Sequence, residues 1–236
     1  MDDCRFFAKA PCFFESNPAI PLLRRAFVEA IGTFLLVLIL VGSGLAVSRQ
    51  SPVIPLVANL TIAISVAGAL VGLIVAFGKV SGGHFNPLIT IAQWLSRERS
   101  ATCTAAYVVA QCCGGALGAI VAGSTILVPP DAGPAATTTA FMLSEVIASA
   151  GLLSIVLGCA KSAKWETGPF GVGLWLVAAI VATPSGSYAN PAVTIAVVLA
   201  KGPTSLATST ALLYVLAQLI GLLIAIVVNR IAFAPD

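Results

Sequence analysis

Apolar residues run on with scarcely a charge in six windows, roughly 22–47, 53–77, 102–127, 140–160, 168–184 and 206–229. A helix needs about 20 apolar residues to cross a bilayer core, so each window predicts a transmembrane helix. The fifth is short and stops at the break Thr183-Pro184. The runs are continuous instead of alternating apolar with polar, which argues against a β-barrel. Two breaks in the pattern carry related text: Ser81 to Thr90 reads SGGHFNPLIT, and Ser185 to Thr194 reads SGSYANPAVT. Asn is favoured as a helix N-cap, and Pro at the first helical position, where no N–H is needed. Each break therefore reads as a loop entering a short helix.

The short helices would run about 8–10 residues, or about 13–15 Å each, so two meeting tip to tip would cover a core of about 30 Å. The first window of each half holds a lone acid, Glu29 in Val28-Glu29-Ala30 and Glu145 in Ser144-Glu145-Val146. Three windows per half force the halves into opposite orientations, the plan of inverted-repeat membrane proteins with broken helices. The expected fold is an all-α membrane protein with six transmembrane helices plus two re-entrant half-helices in an inverted 3+3 repeat. Residues 1–21 form an N-terminal tail, 22–127 the first pseudo-repeat, 128–139 (VPPDAGPAATTT) a connecting loop, and 140–236 the second pseudo-repeat, one channel domain in all. Non-helical backbone at membrane depth is tolerated only where protein shields it or a wet cavity adjoins it, so the loop pair by itself predicts a channel or binding site.

Composition agrees: 58% of residues are hydrophobic, 9% are charged, and mean hydropathy is +1.03. The basic residues give orientation. Arg5, Lys9, Arg24, Arg25, Lys79, Arg97, Arg99, Lys161, Lys164 and Arg230 fall on one side, leaving Arg49 and Lys201 opposite. By the positive-inside rule both termini are cytoplasmic and the chain is a multi-pass protein of the plasma membrane. The first 21 residues lack a long apolar run, so no cleaved signal peptide is expected. The net charge of +3 reflects this bias and suggests no nucleic-acid partner. Cys4, Cys12 and Cys159 lie on the cytoplasmic side, and Cys103, Cys112 and Cys113 in the third window; without a CxxC they read as ordinary thiols, not as a metal site. With one histidine, no metal-ligand cluster and no nucleophile elbow, neither an enzyme nor a cofactor is expected.

A carboxyl in the membrane needs partners. Proton coupling is one reading of Glu29 and Glu145. The favoured one is structural, each carboxyl accepting backbone N–H groups of the adjacent loop. Asn86 and Asn190 each cap their helix with the side-chain oxygen, leaving the NH₂ to donate into the pore. A solute at the midplane must offer its oxygen to both donors, which breaks a chain of like-oriented waters, while two converging helix N-termini add about half a positive charge each against cations. Gly114, Gly115, Gly118, Gly171 and Gly173 read as sites of close helix packing. Asn17-Pro18-Ala19 repeats the motif letters before any window and reads as a decoy.

The paired Asn86-Pro87-Leu88 and Asn190-Pro191-Ala192 resemble the two Asn-Pro-Ala motifs of the major intrinsic protein superfamily, the aquaporins and aquaglyceroporins. The resemblance covers roughly residues 24–229. It implies a pore within each protomer of a homotetramer, those six residues at the pore midplane, Glu29 and Glu145 as loop anchors, His84 in the cytoplasmic vestibule, and a narrower filter displaced outward. In the family an arginine usually follows the second motif; here that position is Val193, and no basic residue lies between Lys164 and Lys201. A gapless count back from the motifs places the other filter residues at Val66, Ser187 and Ala178, with Ile180 replacing Ala178 if a small gap precedes Ser185. None is aromatic or charged. Leu88, where the family has alanine, is a milder departure that would crowd the midplane.

Such a filter is apolar and wide, so the reading is a passive channel for small neutral solutes larger than water, such as glycerol or neutral metalloid hydroxides including arsenite. An ordinary water-selective aquaporin or glycerol facilitator is the alternative. An inverted-repeat secondary transporter would need more intramembrane ionisable groups than Glu29 and Glu145, and a non-transporting scaffold would need Leu88 to block the pore.

Overall fold

The computed structural model describes residues 20–50, 52–125, 138–162 and 164–234, and all their regular structure is helical. The long helices are α1 (Leu22–Ser48), α2 (Pro55–Ser81), α4 (Ala101–Thr125), α5 (Thr139–Ala160) and α8 (Thr208–Ala232), each long and apolar enough to cross a membrane. The fifth window is a shorter apolar helix of 15 residues, α6 (Gly168–Ala182). Between them lie the half-helices α3 (Pro87–Leu95) and α7 (Pro191–Ala196), the latter prolonged by a 3₁₀ turn over Val197–Leu199. This is the expected six-plus-two arrangement. Cys4, Cys12 and the Asn17-Pro18-Ala19 decoy lie outside the described residues, as does most of the 128–139 connection. Its last two residues are described: Thr138 caps α5, its hydroxyl oxygen accepting from the Phe141 N–H at 3.4 Å.

Two helix pairs dominate the packing, α1 against α4 and α5 against α8, and they occupy matching places in the two halves; α2 and α6 meet across the middle. Glycine decides how near the pairs come. A Cβ on Gly114 would collide with the Ala30 carbonyl on α1, and one on Gly221 would lie 2.6 Å from the Val146 carbonyl on α5. In hydrocarbon, association rests on such backbone contact and not on expulsion of water. The outward faces carry exposed Ile64, Val109, Leu174, Leu212 and Ile231, as suits lipid.

α2 and α6 end differently, and this matters for the site. α2 continues as helix to Ser81 and closes on Gly82 with φ +94. α6 stops at Ala182, because Pro184 disfavours helical backbone at Thr183, which is extended at φ −107, ψ 139. An extended residue advances about 3.3 Å, against about 1.5 Å in a helix, so the chain reaches Ser185 in fewer residues than it needs to reach Ser81.

Candidate functional site

Each loop is hung on its glutamate. Glu29, fully buried on α1, accepts four hydrogen bonds: from the Ser81 hydroxyl (2.6 Å), the His84 N–H (3.0 Å), the Phe85 N–H (2.7 Å) and Gln111 Nε2 (2.7 Å). Glu145 on α5 accepts the matching four, from the Ser185 hydroxyl (2.7 Å), the Tyr188 N–H (3.0 Å), the Ala189 N–H (2.9 Å) and Gln218 Nε2 (2.7 Å). Gln111 and Gln218 also donate to Thr90 and Thr194 on the half-helices, at 3.1 and 2.8 Å. Each carboxyl therefore ties a long helix, a loop and a third helix into one unit, and its lone pairs are used internally. Reading the sequence missed the glutamines. A signal existed: each is the lone Gln of its apolar window, with glycine three residues on, Gly114 and Gly221.

The loops take unusual backbone to do this. Phe85, Ser187 and Ala189 have φ of +48, +51 and +43, beside Gly82, Gly83 and Gly186, also at positive φ. For residues with a Cβ this region costs about 1–2 kcal/mol each and persists only where surroundings over-determine it. Successive N–H groups turned to one carboxylate supply that restraint.

The asparagines cap as expected. Asn86 Oδ1 accepts from the Leu88 N–H at 2.9 Å, and Asn190 Oδ1 from Ala192 and Val193 at 3.1 and 3.4 Å. Their NH₂ groups are not wholly free, however. Asn86 Nδ2 donates to the Ala189 carbonyl at 2.9 Å and Asn190 Nδ2 to the Phe85 carbonyl at 2.8 Å, so the two loops are cross-stitched. One hydrogen of each amide is held in that bridge, leaving one for the pore.

A cavity of about 560 Å³ runs past both asparagines. On α2 it touches Asn59, Ile62, Val66, Leu70 and Ile74, one helix stripe that spans about 22 Å of rise. α1 and α5 contribute equivalent positions, Leu36 and Leu40 matched by Leu152 and Val156. Val66, Ser187 and Val193 all line it. His84 does too, as a buried wall residue, 1% exposed, with Nδ1 2.9 Å from the Thr90 hydroxyl oxygen and its ring edge-on to Tyr107.

Two placements differ from expectation. Ala178 lies on the exposed outer face of α6, and Ile180, 5% exposed, takes the cavity position. The geometry takes the alternative with a small gap before Ser185: past the extended Thr183-Pro184 step the lining residue stands five before Ser185, where Ile74 stands seven before Ser81. Leu88 is fully buried among core residues and does not line the cavity, so it leaves the midplane uncrowded. Pro87, Pro191 and Ala192 likewise support the helix starts from behind while the two asparagines reach the cavity. Among the described residues no group of three or more His, Cys, Asp or Glu stands together that could hold a metal.

Comparison with known proteins agrees with this geometry. Residues 17–167 match the model of the major intrinsic protein family. The chain is 34% identical over 218 residues to the aquaglyceroporin AqpS of Rhizobium meliloti, covering 91% of this chain and 92% of the relative. It is 27% identical over 231 residues to the glycerol uptake facilitator protein-like 6 of Lactiplantibacillus plantarum, covering 91% and 100%. Its backbone is similar to the crystal structure of the aquaglyceroporin from Plasmodium falciparum, with a TM-score of 0.65 over 89% of this chain and 95% of the other; at 19% identity that likeness is one of fold.

Proposed function

The chain belongs to the major intrinsic protein family, and on that premise we propose that this multi-pass membrane protein is a passive channel whose apolar, widened filter favours neutral solutes larger than water. The observation that carries the reading is the wall of Val66, Ile180 and Val193 around one cavity, where the position after the second Asn-Pro-Ala motif holds valine and no arginine. A guanidinium there would fill space and present several donors. Valine leaves the space open and gives a dehydrating solute little in return, which suits a solute with apolar surface beside its hydroxyls. Glycerol and neutral metalloid hydroxides such as arsenite have that character. The names of the two curated relatives point to the same solute class.

The two pseudo-repeats act as one channel domain with Val66, Ile180, Ser187 and Val193 as its filter, the asparagines at the midplane and Glu29 and Glu145 as anchors. It sits in the plasma membrane with both termini cytoplasmic, performs no catalysis, and assembles as a homotetramer in which each protomer keeps its own pore.

Stopped-flow light scattering on proteoliposomes tests this. Wild type passes glycerol and arsenite, and Val193→Arg narrows towards water, losing roughly tenfold or more of glycerol flux if the added side chain raises the barrier by about 1.4 kcal/mol. Wild-type vesicles that conduct water alone overturn the reading.

A further inference from the structure

Five hydroxyl-bearing residues line the cavity: Thr183, Ser185, Ser187, Tyr188 and Thr204. Three are committed within the protein, Thr183 to the Ala179 carbonyl at 2.8 Å, Ser185 to Glu145 at 2.7 Å and Tyr188 to the Thr204 carbonyl at 2.8 Å. The other two, Ser187 Oγ and Thr204 Oγ1, are buried without a hydrogen-bond partner in the protein, on residues 4% and 5% exposed. Buried hydroxyls are normally satisfied, so an orphaned pair beside a solute path points to a partner that arrives through that path.

Thr204 is held firmly. It lies in the irregular segment before α8, and its carbonyl accepts from the Tyr188 hydroxyl at 2.8 Å, which fastens this segment to the loop that carries Ser187. Its methyl packs on α1 where only glycine leaves room: a Cβ on Gly44 would lie 2.6 Å from Thr204 Cγ2. With backbone and methyl fixed, the hydroxyl is the one polar group of Thr204's side chain, and it makes no hydrogen bond within the protein.

We propose that Thr204 is a further specificity-determining residue, forming with Ser187 a two-hydroxyl polar edge that hydrogen-bonds polyhydroxylated neutral solutes opposite the apolar wall of Val66, Ile180 and Val193. The inference rests on the filter reading above and adds a residue outside its four positions. An amphipathic solute then crosses with its hydroxyls on one edge and its carbon or metalloid centre against the other. Water, which needs fewer bonds replaced, depends on the pair less.

The test uses the full chain in proteoliposomes, with glycerol and water permeability measured for wild type, Thr204→Val and Thr204→Ser. Valine keeps the methyl against Gly44 and the carbonyl that holds Tyr188. Losing one neutral buried hydrogen bond predicts about a three- to tenfold fall in glycerol permeability for Thr204→Val, with water within about twofold and Thr204→Ser near wild type. Unchanged glycerol flux in Thr204→Val, with wild type conducting glycerol, overturns this inference and leaves the filter reading standing. A parallel loss of glycerol and water that serine does not rescue also overturns it, as a packing effect. Wild type that passes no glycerol overturns the filter reading, and this inference with it.

Discussion

Asn86 Nδ2 lies 2.9 Å from the carbonyl oxygen of Ala189, a residue of the opposite loop, and the bond is returned from Asn190 to Phe85 at 2.8 Å. The motif asparagines thus do two jobs, capping their own helices and locking the two loops together where they meet. Asn190→Asp separates the jobs. A carboxylate still caps, accepting from Ala192 and Val193. It cannot donate to Phe85, and it places a negative charge where two helix N-termini oppose cations. The variant is expected to dissipate a potassium diffusion potential in proteoliposomes that wild type holds, read with a potential-sensitive dye. A variant as tight as wild type would assign ion exclusion to the helix termini alone.

The glutamate anchors carry the fold more than the flux. Glu29→Gln turns one acceptor oxygen into an NH₂ that faces donors, breaking bonds from Ser81 and His84 or from Phe85 and Gln111. A loss of about 2–3 kcal/mol is expected, read as a lower midpoint of thermal aggregation in detergent, and Glu145→Gln should match it because the partners correspond one to one. A proton-coupling role would instead leave stability intact and make flux depend on a pH gradient.

Span five separates two neighbouring residues. Ile180→Phe puts a ring into the cavity and is expected to cut glycerol permeability by roughly tenfold or more, since overfilling a packed site costs about 1–3 kcal/mol. Ala178→Phe points away from the cavity and should leave flux unchanged. The reverse result would restore the gapless alignment.

Leu88→Ala removes a fully buried side chain that does not touch the solute path. Destabilisation by about 2–5 kcal/mol is expected, with permeability per folded protomer unchanged. A rise in permeability would make Leu88 a constriction after all.

Helix packing gives a paired prediction. Gly114→Ala drives a methyl into the Ala30 carbonyl and should abolish the monodisperse peak in size exclusion, whereas Gly123→Ala, with nothing within 4 Å, should leave it intact.

The linear chain by itself determined the six spans, the two half-helix starts and the inverted plan. Hydrophobic length, Asn-Pro capping and an odd span count are local or countable properties, and they act through lipid, which admits few backbone solutions. The loop-anchoring reading of Glu29 and Glu145 was legible for the same reason, since a lone carboxyl at membrane depth must be met by donors. Only the tertiary structure decided which side chains meet. Gln111 lies 82 residues from Glu29, and Thr204 lies 16 from Tyr188, so no spacing rule joins them. It also decided register, choosing Ile180 over Ala178 as the lining residue, because chain length per residue depends on conformation and Thr183 is extended where α6 ends. Likewise Leu88 turned from a supposed obstruction into core, because a helix that starts at a pore presents one face to it and buries the others.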